Sequence, residues 1–137
     1  MDPLFPDIVW GCVTNIDMSP LSTSGLARIN TTDSSVIFHD MSHLANPANG
    51  GMTVLNDLVF DDSGHIFITD TFGYQLIRYT IASEEAVVWS NGTIFCTQCA
   101  NVAAHYDGPN GIAYISHVDP SESYLLVGLG SASKKLL

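Results

Sequence analysis

The hydrophobic positions of this chain fall in short runs, each interrupted by turn residues. The stretch from Leu55 to Ile81, LNDLVFDDSGHIFITDTFGYQLIRYTI, sets the pattern. Leu58-Val59-Phe60 is apolar, and Asp61-Asp62-Ser63-Gly64 follows it. Asp and Ser side chains in such a turn bond back to nearby backbone, and Gly accepts a positive φ. His65-Ile66-Phe67-Ile68-Thr69-Asp70 is rich in β-branched and aromatic residues, as strands are. Thr71-Phe72-Gly73-Tyr74 turns the chain again, and Gln75-Leu76-Ile77-Arg78-Tyr79-Thr80 makes a third run. No helical period fits, because the apolar runs are too short. The stretch predicts a meander of three antiparallel strands, which is most of one propeller blade.

The pattern recurs on both sides. Leu26-Ala27-Arg28-Ile29-Asn30 lines up with Leu76-Ile77-Arg78-Tyr79-Thr80, 50 residues later. Ser35-Val36-Ile37-Phe38 lines up with Ala86-Val87-Val88-Trp89, 51 residues later. Asn56-Asp57-Leu58-Val59-Phe60 lines up with Asn110-Gly111-Ile112-Ala113-Tyr114, 54 residues later, and Leu125-Leu126-Val127 takes the place of Ile66-Phe67-Ile68. A period of about 50 residues with several short strands in each repeat predicts a β-propeller. Further strands are expected at 8–13, 25–30, 35–39 and 86–90. The connection 40–52 is irregular, with one helical turn at Ser42-His43-Leu44-Ala45.

Length limits the count of repeats. The chain has 137 residues, 46% of them hydrophobic, which is enough for one domain with a real core. A closed propeller needs at least four blades of about 40 to 50 residues. The expected fold is therefore all-β, a partial β-propeller of about two and a half blades. It forms a single incomplete propeller region over 1–137, with blades near 8–40, 55–90 and 110–137. The first unit lacks an innermost strand, and the last stops at Lys134-Lys135-Leu136-Leu137, where its third strand should form. A fragment of a longer propeller is expected to self-associate through its open blade edges.

Charge narrows the partners. Four Lys or Arg stand against fourteen Asp or Glu, a net charge of −10. Such a chain repels phosphate backbones, so nucleic acid and anionic membrane are not expected partners. The sequence has no apolar stretch long enough for a membrane span. No signal peptide is visible at the N-terminus, and a truncated start would leave a cytoplasmic or a secreted location equally open.

Two asparagines stand at equivalent places. Asn56 and Asn110 each open an innermost strand after a loop, and innermost strands line the channel of a propeller. Two amide carbonyls converging on an axis can ligate Ca²⁺ or another hard divalent cation, which takes six to eight oxygens. Asn before a strand also commonly bonds its own turn.

Asn56 to Asp70, followed by Gly108-Pro109-Asn110-Gly111-Ile112-Ala113-Tyr114, resembles the regucalcin/gluconolactonase (SMP-30) family of six-bladed propellers. That family is similar in fold to the calcium-dependent phosphotriesterases. The resemblance runs from Gly25 to about Val127. It implies a Ca²⁺-dependent hydrolase acting on lactones or related esters. The central ion would be held by a Glu of the first blade, Asn residues of middle blades and an Asp of a later blade. It carries the middle-blade positions onto Asn56 and Asn110. The Glu and the later Asp have no counterpart in this chain. Val54 stands where some sugar lactonases have Arg, which weakens the case for a sugar-acid lactone. Neutral amides alone hold a divalent ion poorly, so weak Ca²⁺ binding is expected of this chain by itself. The rival reading is a non-catalytic NHL-like propeller serving as a binding module.

The other candidates are weaker. Asp57 and Asp70 are near Asn56 in sequence, and both are expected to bond backbone at strand ends rather than act as a base. Cys96-Thr97-Gln98-Cys99 is a lone C-x-x-C, read as a loop disulfide or two ordinary thiols, with Cys12 as a buried strand residue. Asn30-Thr31-Thr32 and Asn91-Gly92-Thr93 are glycosylation sequons. His65 is expected to be solvated at a turn exit. His105 is the one histidine close in sequence to the supposed channel mouth.

Overall fold

Three antiparallel sheets stand in sequence order. The computed structural model describes residues 5–14, 23–47, 50–91, 93–95 and 108–130. The first sheet holds β1 (Ile8–Thr14), β2 (Ser24–Asn30) and β3 (Val36–Asp40) in that order. The second holds β4 (Leu55–Phe60), β5 (His65–Asp70), β6 (Gln75–Thr80) and β7 (Glu85–Asn91). The third holds β8 (Pro109–Ile115) and β9 (Tyr124–Leu129). The described residues contain no α-helix, only single 3-10 turns such as Ser42–Leu44, so no helix among them can cross a membrane.

Each sheet arises from local rules. The 61–64 turn closes because Asp61 Oδ1 accepts from the backbone N–H of Ser63 at 2.9 Å and of His65 at 2.8 Å. Gly64 has φ +82°, a conformation natural to glycine. The middle sheet is covered on both faces, so β5 is buried along nearly its whole length. On one face Ile66, Ile68, Ile77 and Tyr79 pack with Ile8, Trp10 and Leu26 of the first sheet. Toward the third sheet, Tyr74 and Leu76 pack with Phe95 and Val127. Each fully buried Leu or Ile contributes about 1.5–3 kcal/mol. The outer strands are exposed, with Val36, Ile37 and Phe38 on β3 and Trp89 on β7 open to solvent.

The repeat seen in the sequence is physical. β1 lies against β4 as β5 lies against β8, and β4 lies against β8. Thr14 Oγ1 donates to Leu55 O at 3.0 Å, and Thr71 Oγ1 donates to Pro109 O at 2.7 Å. Each bond ties one sheet to the first residue of the next innermost strand. Thr71 N donates to Val54 O, and Gly130 N donates to Gly108 O, both at 2.9 Å. Ser34 and Glu84, 50 residues apart, both take positive φ (61° and 55°) in the turn into the outer strand. These features are consistent with a partial β-propeller-like fold.

β5 and β6 keep their expected bounds, β3 is shifted by one residue, and β1, β2 and β7 run a residue longer at one or both ends, whereas β4 differs more. It starts at Leu55, three residues before the apolar run, because a bulge lets Asn56-Asp57 join the strand. Asn15 to Ser22, most of the second crossover and the C-terminal Lys134-Lys135 fall outside the described residues.

Candidate functional site

The two asparagines occupy the same irregularity. β4 pairs with β5 through Leu55↔Asp70 and then Leu58↔Ile68, with one extra residue on β4. β8 pairs with β9 through Pro109↔Leu129 and then Ile112↔Val127, again with one extra residue on the innermost strand. A bulge of this kind re-aims side chains. Asn56-Asp57 fills the first bulge and Asn110-Gly111 the second. Asn56 and Asn110 are both exposed, and among the described residues neither side-chain amide makes a hydrogen bond. The reading in which each Asn closes its own turn is therefore not what the geometry displays.

The bulges are fastened to each other beneath the amides. Thr69 Oγ1 donates to Asn110 O at 2.6 Å and accepts from Asp57 N at 3.0 Å. Asp57 Oδ2 accepts from Ile112 N at 3.0 Å, and its Oδ1 accepts from Leu58 N at 2.9 Å. The carboxylate of β4 thus supplies the hydrogen bond that the bulge of β8 would otherwise lack. Gly108 is required by close approach: a Cβ there would lie 1.8 Å from Thr71 O. The Gly of the Gly-Pro-Asn-Gly run is explained by the wall of the preceding sheet.

Asp70 anchors the other side. It is fully buried, and its Oδ1 accepts from Val54 N and Gly73 N, both at 2.9 Å. Its Oδ2 accepts from Gln75 Nε2 at 2.9 Å. Burial pushes its carboxyl above the usual carboxylate range, against the pull of these donors. Asp57 and Asp70 both spend their oxygens on N–H groups, as expected for strand-end acids.

The two exposed side chains at these bulges are neutral amides. Among the described residues no group of three or more His, Cys, Asp or Glu could hold a metal. An amide oxygen is a hard donor that brings no charge to a cation.

One histidine departs from expectation. His65 is three-quarters buried, and its Nδ1 lies 2.7 Å from Asp61 Oδ2. Asp61 reaches across its own turn to the ring, which stays about a quarter exposed rather than fully solvated. Cys12 lies half-buried in β1 with a free thiol, pushed up to about 12 by burial and then by the charge of Asp57. Asn30 Oδ1 accepts from Thr32 N at 2.8 Å, so that sequon's amide is engaged locally. Cys96, Cys99 and His105 lie outside the described residues.

Sequence reading missed the role of Thr69 and an aromatic cleft at the far end of the strands. The cleft, of about 480 Å³, is lined by Trp10, Arg28 and Tyr79 among others. The cleft opens near the 61–64 turn, whereas Asn56 stands at the opposite end of β4, so this cleft is not the candidate cation site. Comparisons with protein-family models, with curated proteins and with solved structures each gave no match.

Proposed function

We propose that this chain is part of a six-bladed propeller of the SMP-30/gluconolactonase type. It would contribute about two and a half blades, near 8–40, 55–90 and 110–137, to a Ca²⁺-dependent hydrolase of lactones or related esters. The observation that carries this reading is the pair of exposed, unbonded amides at Asn56 and Asn110. They stand at the same bulge of two adjacent innermost strands.

A bound divalent cation would polarise the substrate carbonyl as a Lewis acid. Asn56 and Asn110 would supply two of the oxygens that hold it. Thr69 and Asp57 fix the bulges that aim those amides, without touching substrate. Charged ligands and a base would come from outside the described residues. With neutral donors alone, the chain by itself binds Ca²⁺ with a dissociation constant of about 1 mM or weaker.

The engaged carboxylates of Asp57 and Asp70 favour a second reading, an NHL-like propeller that binds a partner and catalyses nothing. Hydrolysis of aliphatic γ-lactones and aryl esters, with Ca²⁺ and with chelator, separates the two. The hydrolase reading expects chelator-sensitive turnover that falls at least tenfold in Asn56→Ala and in Asn110→Ala. Absence of turnover in the whole protein with saturating Ca²⁺ favours the binding module.

A further inference from the structure

The cleft between the first and second sheets has the composition of a ligand site and plays no part in the reading above. Its floor is aromatic and closely packed. Trp10 is 7% exposed and Tyr79 1%. Their ring centroids are 5.5 Å apart, and His39 packs on both at 5.6 Å and 5.1 Å. The Tyr79 hydroxyl lies 3.0 Å from His39 Nδ1, which holds the phenol in place. Phe5 and Ile81 add apolar wall, and Glu84 stands at the exposed rim. A volume of about 480 Å³ lies within the roughly 300–1,000 Å³ typical of small-molecule pockets, and is far too small for a protein partner.

Arg28 gives the cleft its polarity. It pairs across the strands with Trp10 and is half-buried. Among the described residues no carboxylate oxygen comes within 4 Å of its guanidinium; the ion pairs there involve His65 and His117 only. Glu84 lines the same cleft without forming an ion pair with Arg28, so the guanidinium keeps its hydrogen-bonding fork open to a ligand. A half-buried guanidinium favours an anionic partner, and a carboxylate matches its planar fork. Glu84 at the rim repels a second negative charge, so the fit is to a monoanion. We propose that this cleft binds a small aromatic monocarboxylate, with Arg28 holding the carboxylate and Trp10 and Tyr79 packing the ring.

The test uses 2-naphthoate and its uncharged amide, 2-naphthamide, as probes, with binding followed by calorimetry and by the Trp10 indole N–H signal. The wild-type protein is expected to bind the acid at least tenfold more tightly than the amide. Arg28→Gln should abolish that preference while leaving amide binding unchanged, which also reports that the cleft is folded. Arg28→Lys should retain part of it. Equal affinity for acid and amide in the wild type overturns the proposal without recourse to any variant. So does an acid preference that survives in Arg28→Gln, or a response at Trp89 in place of Trp10. Cation binding at Asn56 and Asn110 is read separately, so failure here leaves the hydrolase reading untouched, and the reverse holds.

Discussion

Replacing Asp70 should separate a structural acid from a catalytic one. In Asp70→Ala the donors that lose their acceptor include Val54 N, Gly73 N and Gln75 Nε2. Val54 is half-buried and its N–H can find water, but Gly73 and Gln75 are buried. Each buried donor left unsatisfied costs about 1–3 kcal/mol, so the two together cost about 4 kcal/mol. Asp70→Asn is milder. Its carbonyl oxygen can replace Oδ1 and accept from Val54 N and Gly73 N. Its NH₂ then faces the NH₂ of Gln75. Gln75 cannot simply turn over, because its Nε2 also donates to Leu44 O at 2.9 Å. One contact is lost, at about 1–2 kcal/mol.

Urea unfolding followed by tryptophan fluorescence gives both numbers. A Gln75→Met background should shrink the cost of Asp70→Asn to about 0.5 kcal/mol or less, since the clashing donor is gone. Burial raises the folded-state pKa of Asp70, so the folded state keeps a proton that the unfolded chain releases. That contribution is complete below the ordinary carboxylate pKa and is lost as pH rises through the raised one. Asp70→Asn should remove this slope. A cost below about 1 kcal/mol for Asp70→Ala, or an equal cost for Asn and Ala, would refute the reasoning.

Three more outcomes follow from the same contacts. Gly108→Ala should destabilise by about 3 kcal/mol or prevent folding, since its Cβ would meet Thr71 O at 1.8 Å; thermal unfolding reads it. Burial pushes Asp61 up, but hydrogen bonds from His65 and Ser63 outweigh it and hold the carboxyl below its ordinary value. Its stabilisation is therefore present above the ordinary carboxylate pKa and lost as pH falls through the lowered one, and Asp61→Asn should flatten the stability curve in that acidic window. The Cys12 thiol, pushed up to about 12, should react with iodoacetamide at pH 8 at least tenfold more slowly than in the urea-unfolded chain.

The strand pattern was legible because each turn carries its own chemistry. The Asp61-Asp62-Ser63-Gly64 turn and the strands on either side of it need no tertiary information, and the 50-residue spacing of Arg28 and Arg78 marks the repeat. The bulges were not legible. Asn56 reads as the opening of a strand, but the extra residue there is held by bonds from Asp57 to Thr69 and to Ile112, 55 residues away, which no local pattern shows. The equivalence of Asn56 and Asn110 could be read from spacing, while the freedom of their amides could not. His65 was misread for a related reason: alternation along β5 says nothing of a carboxylate folding back across the turn. The aromatic cleft is assembled from two sheets, and no local run announces it.

The central claim is that Asn56 and Asn110 face one divalent cation. Side-chain amide spectra of ¹⁵N-labelled protein, titrated with Mn²⁺ as a paramagnetic probe, test it most directly. The account predicts that both NH₂ pairs broaden together at the same Mn²⁺ concentration, that Ca²⁺ reverses the broadening, and that Asn56→Ala weakens the effect at Asn110. Broadening at one amide without the other, or at neither up to millimolar Mn²⁺, would contradict it.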